Sequence, residues 1–313
     1  MHNYNKFDEI ENISFIEELT LGFSKKNKKI PSRYHYDLNG SKYFEKITKL
    51  KEYYVTRSEK KILKQLSGGM EYIFGNNLTF IEFGSGSTDK ISILISNKVK
   101  FYIPLDISYG FLVKSSIKLA KCFPNLLIIP TYCDYVKKFI LPKKISKNKI
   151  GFFLGSSIGN FYDKKEKKFL QNARKTLGNN SFLFVGVDLI KNIRIIEKAY
   201  NDSKGISAKF NLNLINRINK VLKTNLKQKD FKYFSYFNEK NNSIECFLIS
   251  KKDQKLFFCN KEFFIKKNEK IQTEISKKFT FNTFSILAKS AGWKVKKYWF
   301  DKNKYYSIFL LQT

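Results

Sequence analysis

Ile81-Glu82-Phe83-Gly84-Ser85-Gly86-Ser87-Thr88-Asp89-Lys90 places two glycines one residue apart, just after a short apolar run. Glycines there let a backbone turn sharply and come close to a bound molecule with no Cβ in the way. Asp106 closes the next apolar run, twenty residues after Gly86, where a carboxylate can accept hydrogen bonds from the two hydroxyls of a ribose. A dinucleotide fingerprint would need a third glycine where Asp89 stands, so that reading is the weaker one. Cys133-Asp134-Tyr135 follows a third apolar run, which positions Asp134 to meet an adenine amino group and Tyr135 to lie along the ring. For any single one of these residues, an ordinary strand-to-helix turn is the alternative.

Glu82, an acid just before the glycine turn, is a residue that S-adenosylmethionine enzymes place near the amino-acid end of their cofactor. Glu82, Gly84, Gly86, Ser87, Lys90, Asp106, Asp134 and Tyr135 therefore form the expected cofactor set. The elements that must carry them alternate. Strands are expected at 78–83, 100–105, 126–130, 150–154 and 181–187, and helices at 89–97, 111–121 and 164–177, the pattern of βαβ units on a parallel sheet. A helix at 283–292, a strand at 293–300, a turn and a strand at 305–311 end the chain, as a closing antiparallel hairpin at the sheet edge. Between them, 211–224 reads as an amphipathic helix with Leu212, Ile215, Ile218 and Val221 or Leu222 inward, and 243–250 and 255–260 read as antiparallel strands of a different unit. The spacing thus predicts a sheet domain over 57–190 and 279–313 and a smaller α+β substrate domain over 10–56 and 191–278.

Composition narrows the function classes. Hydrophobic residues make up 42% of the 313, which excludes a disordered chain. The net charge of +32 suggests nucleic acid, but all except five of the 59 basic residues are lysines spread along the whole sequence. Phosphate and base recognition leans on the planar arginine fork, so the lysines are expected on solvated faces, with no specific nucleic-acid partner. No apolar run reaches the roughly 18 residues that would span a bilayer, and the first eleven residues are polar and acidic, so a cytoplasmic protein without membrane association is expected. Cys122, Cys133, Cys246 and Cys259 form no C-x-x-C pair and His2 and His35 are the only histidines, so no metal site is expected.

The sequence resembles the histidine-specific S-adenosylmethionine-dependent methyltransferases of ergothioneine biosynthesis, which trimethylate the α-amine of L-histidine to hercynine. The resemblance runs from about Pro31 to Leu310 in ordered blocks: Tyr34-His35-Tyr36-Asp37-Leu38-Asn39-Gly40-Ser41, Glu52-Tyr53-Tyr54-Val55-Thr56-Arg57, the glycine turn and Phe153-Leu154-Gly155-Ser156-Ser157-Ile158-Gly159-Asn160-Phe161. Gly186-Val187-Asp188-Leu189-Ile190-Lys191, Ala199-Tyr200-Asn201-Asp202, Phe210-Asn211-Leu212-Asn213 and Thr273-Glu274-Ile275-Ser276 continue it. It implies a Rossmann-like class I methyltransferase sheet and S-adenosylmethionine as cofactor.

The resemblance further implies that Tyr36, Gly155 and Asn160 surround the substrate amine, with Tyr36 and Asn160 as the catalytic pair, while Tyr53 and Tyr200 help to hold the amino acid. Uncharged phenols and amides suit this task, because a carboxylate beside the amine would favour the unreactive ammonium. In the family, a glutamate and serine at the positions of Glu274 and Ser276 bind the imidazole. Two apart in a β-like segment, they point to one face. Cys246 stands where the family tends to carry Met, and gives the side-chain pocket a smaller, less flexible wall. A monomer acting on a small-molecule amino acid is the expectation. Another amino acid such as tryptophan, or a basic RNA-binding methyltransferase, stands as the alternative.

Overall fold

Leu78–Phe83 forms β1, a strand buried along its whole length. Such a strand needs cover on both faces, which a parallel sheet wrapped by helices supplies. β1 runs parallel to β2 (Val99–Asp106) on one side and β5 (Lys149–Phe153) on the other. With β3 (Leu127–Ile128), β4 (Thr131–Tyr132), β6 (Phe182–Asp188), β12 (Lys294–Phe300) and β13 (Tyr306–Gln312), the order is β12-β13-β6-β5-β1-β2-β3, and β4 pairs beside β2. The computed structural model describes residues 2–68, 74–135, 137, 139–142, 145 and 148–313, with side chains from residue 12 onward.

The closing hairpin differs from a simple addition at the edge. β13 is antiparallel to both β6 and β12, so it inserts between them and β12 becomes the edge strand, parallel to the rest. Burial explains the exchange. β13 buries six residues in a row, whereas β12 exposes Lys294, Lys296 and Lys297, and a lysine-rich strand protects an edge while an apolar one belongs inside.

Helices Tyr109–Cys122, Lys165–Leu177 and Phe281–Ser290 flank this sheet. Thr280 caps the last through a reciprocal bond with Thr283, and Trp293 beyond its end is buried and donates from Nε1 to Leu170 O at 2.9 Å. The helix expected at 89–97 is absent. Only a 3-10 turn forms, Ile91–Ile93, because Lys-Ile-Ser-Ile-Leu-Ile-Ser-Asn is rich in β-branched residues and serine and no side chain caps its start.

The chain divides into two units. One joins Val55–Ile190 to Lys277–Thr313, and the other joins the residues up to Tyr54 to Lys191–Ser276. The last junction falls two residues before the expected one because Lys277 pairs with Glu166 at 2.9 Å and the fully buried Lys278 with Asp188 at 2.8 Å, both within the sheet unit.

In the other unit, helix Ile206–Leu222 begins five residues before its predicted start, because the Asp202 carboxylate accepts from the N–H groups of Ile206 (2.9 Å) and Ser207 (2.7 Å) and so caps it. Leu214, Ile215 and Ile218 lie in its core with Phe15, Leu19 and Phe231. β7 (Phe231–Asn238) pairs antiparallel with β8 (Ser243–Ser250), which neighbours β11 (Lys270–Lys277), while β9 (Gln254–Phe258) pairs only with β10 (Lys261–Ile265). The segments predicted at 243–250 and 255–260 are therefore strands of separate sheets. No helix among the described residues is long and apolar enough to cross a membrane.

Gly186 of β6 is the tightest point of the sheet unit, since a Cβ there would lie 2.3 Å from both the Glu59 carboxylate and the Tyr306 hydroxyl. Gly186→Ala is expected to cost about 3 kcal/mol or more in urea unfolding. Gly110→Ala, in a helix with open space around the new methyl, should instead be neutral or add about 0.5–1 kcal/mol.

Candidate active site

The glycine turn leaves β1 with Gly84 and Gly86 both at positive φ, +67° and +51°. Gly84 N–H donates to Leu105 O at 2.8 Å and Gly86 N–H to Asp106 Oδ2 at 3.0 Å, so the turn is fastened to the end of β2. Ser108 N–H donates to the other oxygen, Oδ1, at 2.9 Å. Burial raises the Asp106 carboxyl above its ordinary value, opposed by these N–H donors. A carboxylate has about four acceptor positions, so with backbone donors from Gly86, Ser108 and Ile107 it still has capacity for a ribose hydroxyl. The space over Gly86 is open, with nothing within 4 Å of a built Cβ. These features fit the nucleoside of S-adenosylmethionine.

The other members of the cofactor set surround the turn. Glu82 is buried, and its Oε2 accepts from the Tyr102 hydroxyl at 2.5 Å. Desolvation pushes it up to about 8, so it holds its proton at neutral pH. Tyr135 packs its ring over Gly84, where a Cβ would approach to 3.2 Å, and stands edge-on to Phe153 and Phe169. Asp134 and Ser87 are half-buried, Ser87 in the turn itself.

Lys90 carries the turn into the rest of the sheet unit. Its ammonium pairs at 2.8 Å with Glu59, which is wholly buried and also accepts from Gly155 N–H at 2.7 Å and from the Tyr306 hydroxyl at 2.5 Å. Gly155, at φ +78°, lies so close to Lys90 that a Cβ would sit 2.9 Å from Nζ. Glu59 thus joins Lys90, expected at the cofactor, to Gly155, expected at the substrate, and it was absent from the sequence-derived set. Its signal was an acid on the apolar stripe Val55, Glu59, Ile62, Leu63 and Leu66 of helix Tyr54–Ser67. Beyond Gly155, Ser156 is left-handed and its Oγ accepts from Asp188 N–H at 3.0 Å, which fixes the 3-10 turn Ser157–Asn160. The Asn160 amide is half-buried and makes no hydrogen bond among the described residues, leaving donor and acceptor for a ligand.

The other unit gathers the aromatic members. Tyr36 stands edge-on to Phe44 (5.4 Å) and Phe210 (5.6 Å), Tyr53 to Phe44 (6.2 Å) and Tyr200 (6.3 Å). His35 supports them: it stacks on Phe210 and lies between Ser32 O and Asn211 Oδ1. Burial lowers it to about 4, so it is neutral at physiological pH. The Tyr200 hydroxyl donates to Ser276 Oγ at 2.9 Å. Cys246 is fully buried, and the half-buried Glu274 is near enough for its charge to raise the Tyr233 phenol.

A parallel sheet in the order β3-β2-β1-β5-β6, closed by an antiparallel β13 and carrying this turn beside Asp106, defines a class I S-adenosylmethionine-dependent methyltransferase. The chain belongs to the family of histidine-specific, SAM-dependent methyltransferases, whose model matches residues 15–313. It is 27% identical over 291 residues to the histidine N-alpha-methyltransferase of Mycolicibacterium smegmatis, covering 91% of this chain and 90% of that protein. It is 29% identical to ergothioneine biosynthesis protein 1 of Neurospora crassa over 94% of this chain, which spans 34% of that longer protein. Among solved structures, the magnesium protoporphyrin IX methyltransferase of Synechocystis superposes with a TM-score of 0.49 at 8% identity, covering 90% of this chain and 98% of that one.

Two outcomes follow from this geometry. Asp106→Ala should weaken S-adenosylhomocysteine binding by at least about tenfold in calorimetry, since each charge-assisted hydrogen bond is worth roughly 1.5–3 kcal/mol. Glu82 binds its proton more tightly folded than unfolded, so its contribution to stability is complete below about pH 4.5 and is lost as pH rises toward 8. Glu82→Gln, which mimics the neutral acid, should remove that slope from urea midpoints measured between pH 5 and 9, both limits being about 0.5–1 unit outside or inside the titration window.

Proposed function

We propose that this enzyme transfers methyl groups from S-adenosylmethionine to the α-amine of L-histidine and yields hercynine for ergothioneine biosynthesis. In this reading, the sheet unit is the cofactor domain and the other unit the substrate domain of a monomer acting on the free amino acid in the cytoplasm. When bound, the sulfonium supplies an electrophilic methyl group, and the protein's task is to aim a neutral amine at it in line. Asn160, with its uncommitted amide, Gly155 and the Tyr36 phenol orient that amine. Tyr53 and Tyr200 help to hold the carboxylate and amine. None of these groups bears a charge that would pair with the amine and keep it protonated.

The observation that carries the substrate assignment is the bond from Tyr200 to Ser276. Ser276 Oγ accepts from Tyr200, and a serine hydroxyl is also able to donate to the bare nitrogen of an imidazole, while Glu274 accepts from the ring N–H. Histidine satisfies both ends of this grip. The indole of tryptophan has a donor and no acceptor, and would leave the Ser276 hydroxyl unanswered. A site built around such bonds rejects an analogue lacking them far more strongly than an apolar pocket rejects a missing methylene.

The test compares kcat/KM for histidine and tryptophan in the parent and in Glu274→Ala. Histidine KM should rise by about one to two orders of magnitude, as a hydrogen bond to a charged group is worth roughly 1.5–3 kcal/mol. Tryptophan turnover should be unchanged or improved, because the desolvation penalty against an apolar ring goes with the carboxylate. An equal fall for both substrates would remove Glu274 from imidazole recognition.

A further inference from the structure

Tyr233 lies on β7 and belongs to none of the motifs that point to the substrate. Its hydroxyl donates to Tyr200 O at 3.0 Å and stands 3.4 Å from Cys246 Sγ. Tyr200 ends the helix Ile193–Tyr200, where carbonyls lack an acceptor role inside the helix, so the phenol holds that helix end in place. The same Tyr200 turns its own hydroxyl to Ser276. Cys246 is small, and the Tyr233 ring packs in one apolar cluster with it, Tyr200, Ile196 and Ile244. One side chain therefore touches Tyr200 and Cys246 and lies within range of the Glu274 charge.

We infer that Tyr233 is a specificity-determining positioning residue: its hydroxyl sets the Tyr200–Ser276 pair in register for an imidazole, and its ring, with Cys246, closes the side-chain pocket. The inference rests on the histidine reading given above. The phenol does not itself move a proton or meet the methyl group. Burial, Cys246 and Glu274 hold it well above its ordinary value, so it is a neutral donor throughout the working pH range. With one proton it serves one acceptor at a time, and the shorter bond is to Tyr200 O.

The experiment uses the full chain as parent, Tyr233→Phe, Ser276→Ala and the double variant, with steady-state methylation of histidine and tryptophan and calorimetry with S-adenosylhomocysteine. Tyr233→Phe keeps the ring and removes only the donor. Its histidine KM should rise roughly three- to tenfold, as expected for one neutral hydrogen bond, with kcat within about twofold of the parent. Tryptophan turnover and S-adenosylhomocysteine affinity should not move. In the double variant the two KM effects should fall short of multiplying, because both act through Tyr200. A parent-like histidine KM in Tyr233→Phe, fully multiplicative effects, or an equal loss for both amino acids would overturn the inference while leaving histidine as substrate. A parent that turns over tryptophan and not histidine would instead overturn the substrate reading, and this inference with it.

Discussion

The sheet unit is organised around one buried carboxylate. Glu59 is fully removed from solvent, and a charge so placed is tolerable only when it is paired and its lone pairs are answered. Lys90, Gly155 N–H and the Tyr306 hydroxyl answer them, and these belong to the glycine turn, the loop after β5 and the last strand. The arrangement leaves no room for a side chain at Gly186 and little at Gly155. The separation of the glycine turn from the Gly155–Asn160 loop is consequently held by charge-assisted bonds, which tolerate sliding less well than a contact between aliphatic groups does.

Two other acids show how burial divides the labour. Glu82 accepts from the Tyr102 hydroxyl, but burial outweighs that bond and the nearby Lys90 charge, and it escapes the cost of a buried charge by keeping its proton. Asp106, with backbone N–H groups on both oxygens, spends those bonds on shaping the turn and retains capacity for a ligand. Sequence position alone would make the two carboxyls equivalent neighbours of the glycine turn. Their chemistry differs because their donors differ.

In the other unit, the residues proposed to hold the amino acid are rings and neutral hydroxyls. Tyr36, Phe44, Tyr53 and Tyr200 meet edge to face in succession, an arrangement that fixes ring orientation with few rotatable bonds. Behind them His35, Asn211 and Thr273 form a buried polar cluster, with Thr273 donating to Asn211 at 2.6 Å. Polar groups buried this way specify one packing, because any shift leaves an unanswered donor or acceptor. The +32 charge plays no part in either cluster, whose working groups are carboxyls, amides, phenols and a single paired lysine.

Much of the molecule was legible in its residues. The βα alternation, the glycine turn with Asp106 and the inward face of the helix read at 211–224 follow from periodicity and local chemistry, which any window of sequence records, while the ordered blocks were legible only as a resemblance to a known family. Periodicity tells which face a segment buries and is silent on its partner. Whether β13 or β12 takes the edge was decided by competition between a fully apolar strand and a lysine-rich one for the place beside β6. The 89–97 segment was read as a helix because its apolar spacing permits one, and lost to the weak helix propensity of isoleucine and serine beside an uncapped start. The roles of Glu59 and Tyr233 and the protonation of Glu82 were missed for a deeper reason: although Glu59 stood out as an acid on an apolar stripe, each role depends on a partner brought close only by folding, as Tyr306 is to Glu59 across 247 residues of chain. The residue types able to do the chemistry are a property of the sequence. Which of them are charged, which are already committed to a bond and which remain free for a ligand is decided by desolvation and by long-range neighbours, and these exist only in the tertiary structure.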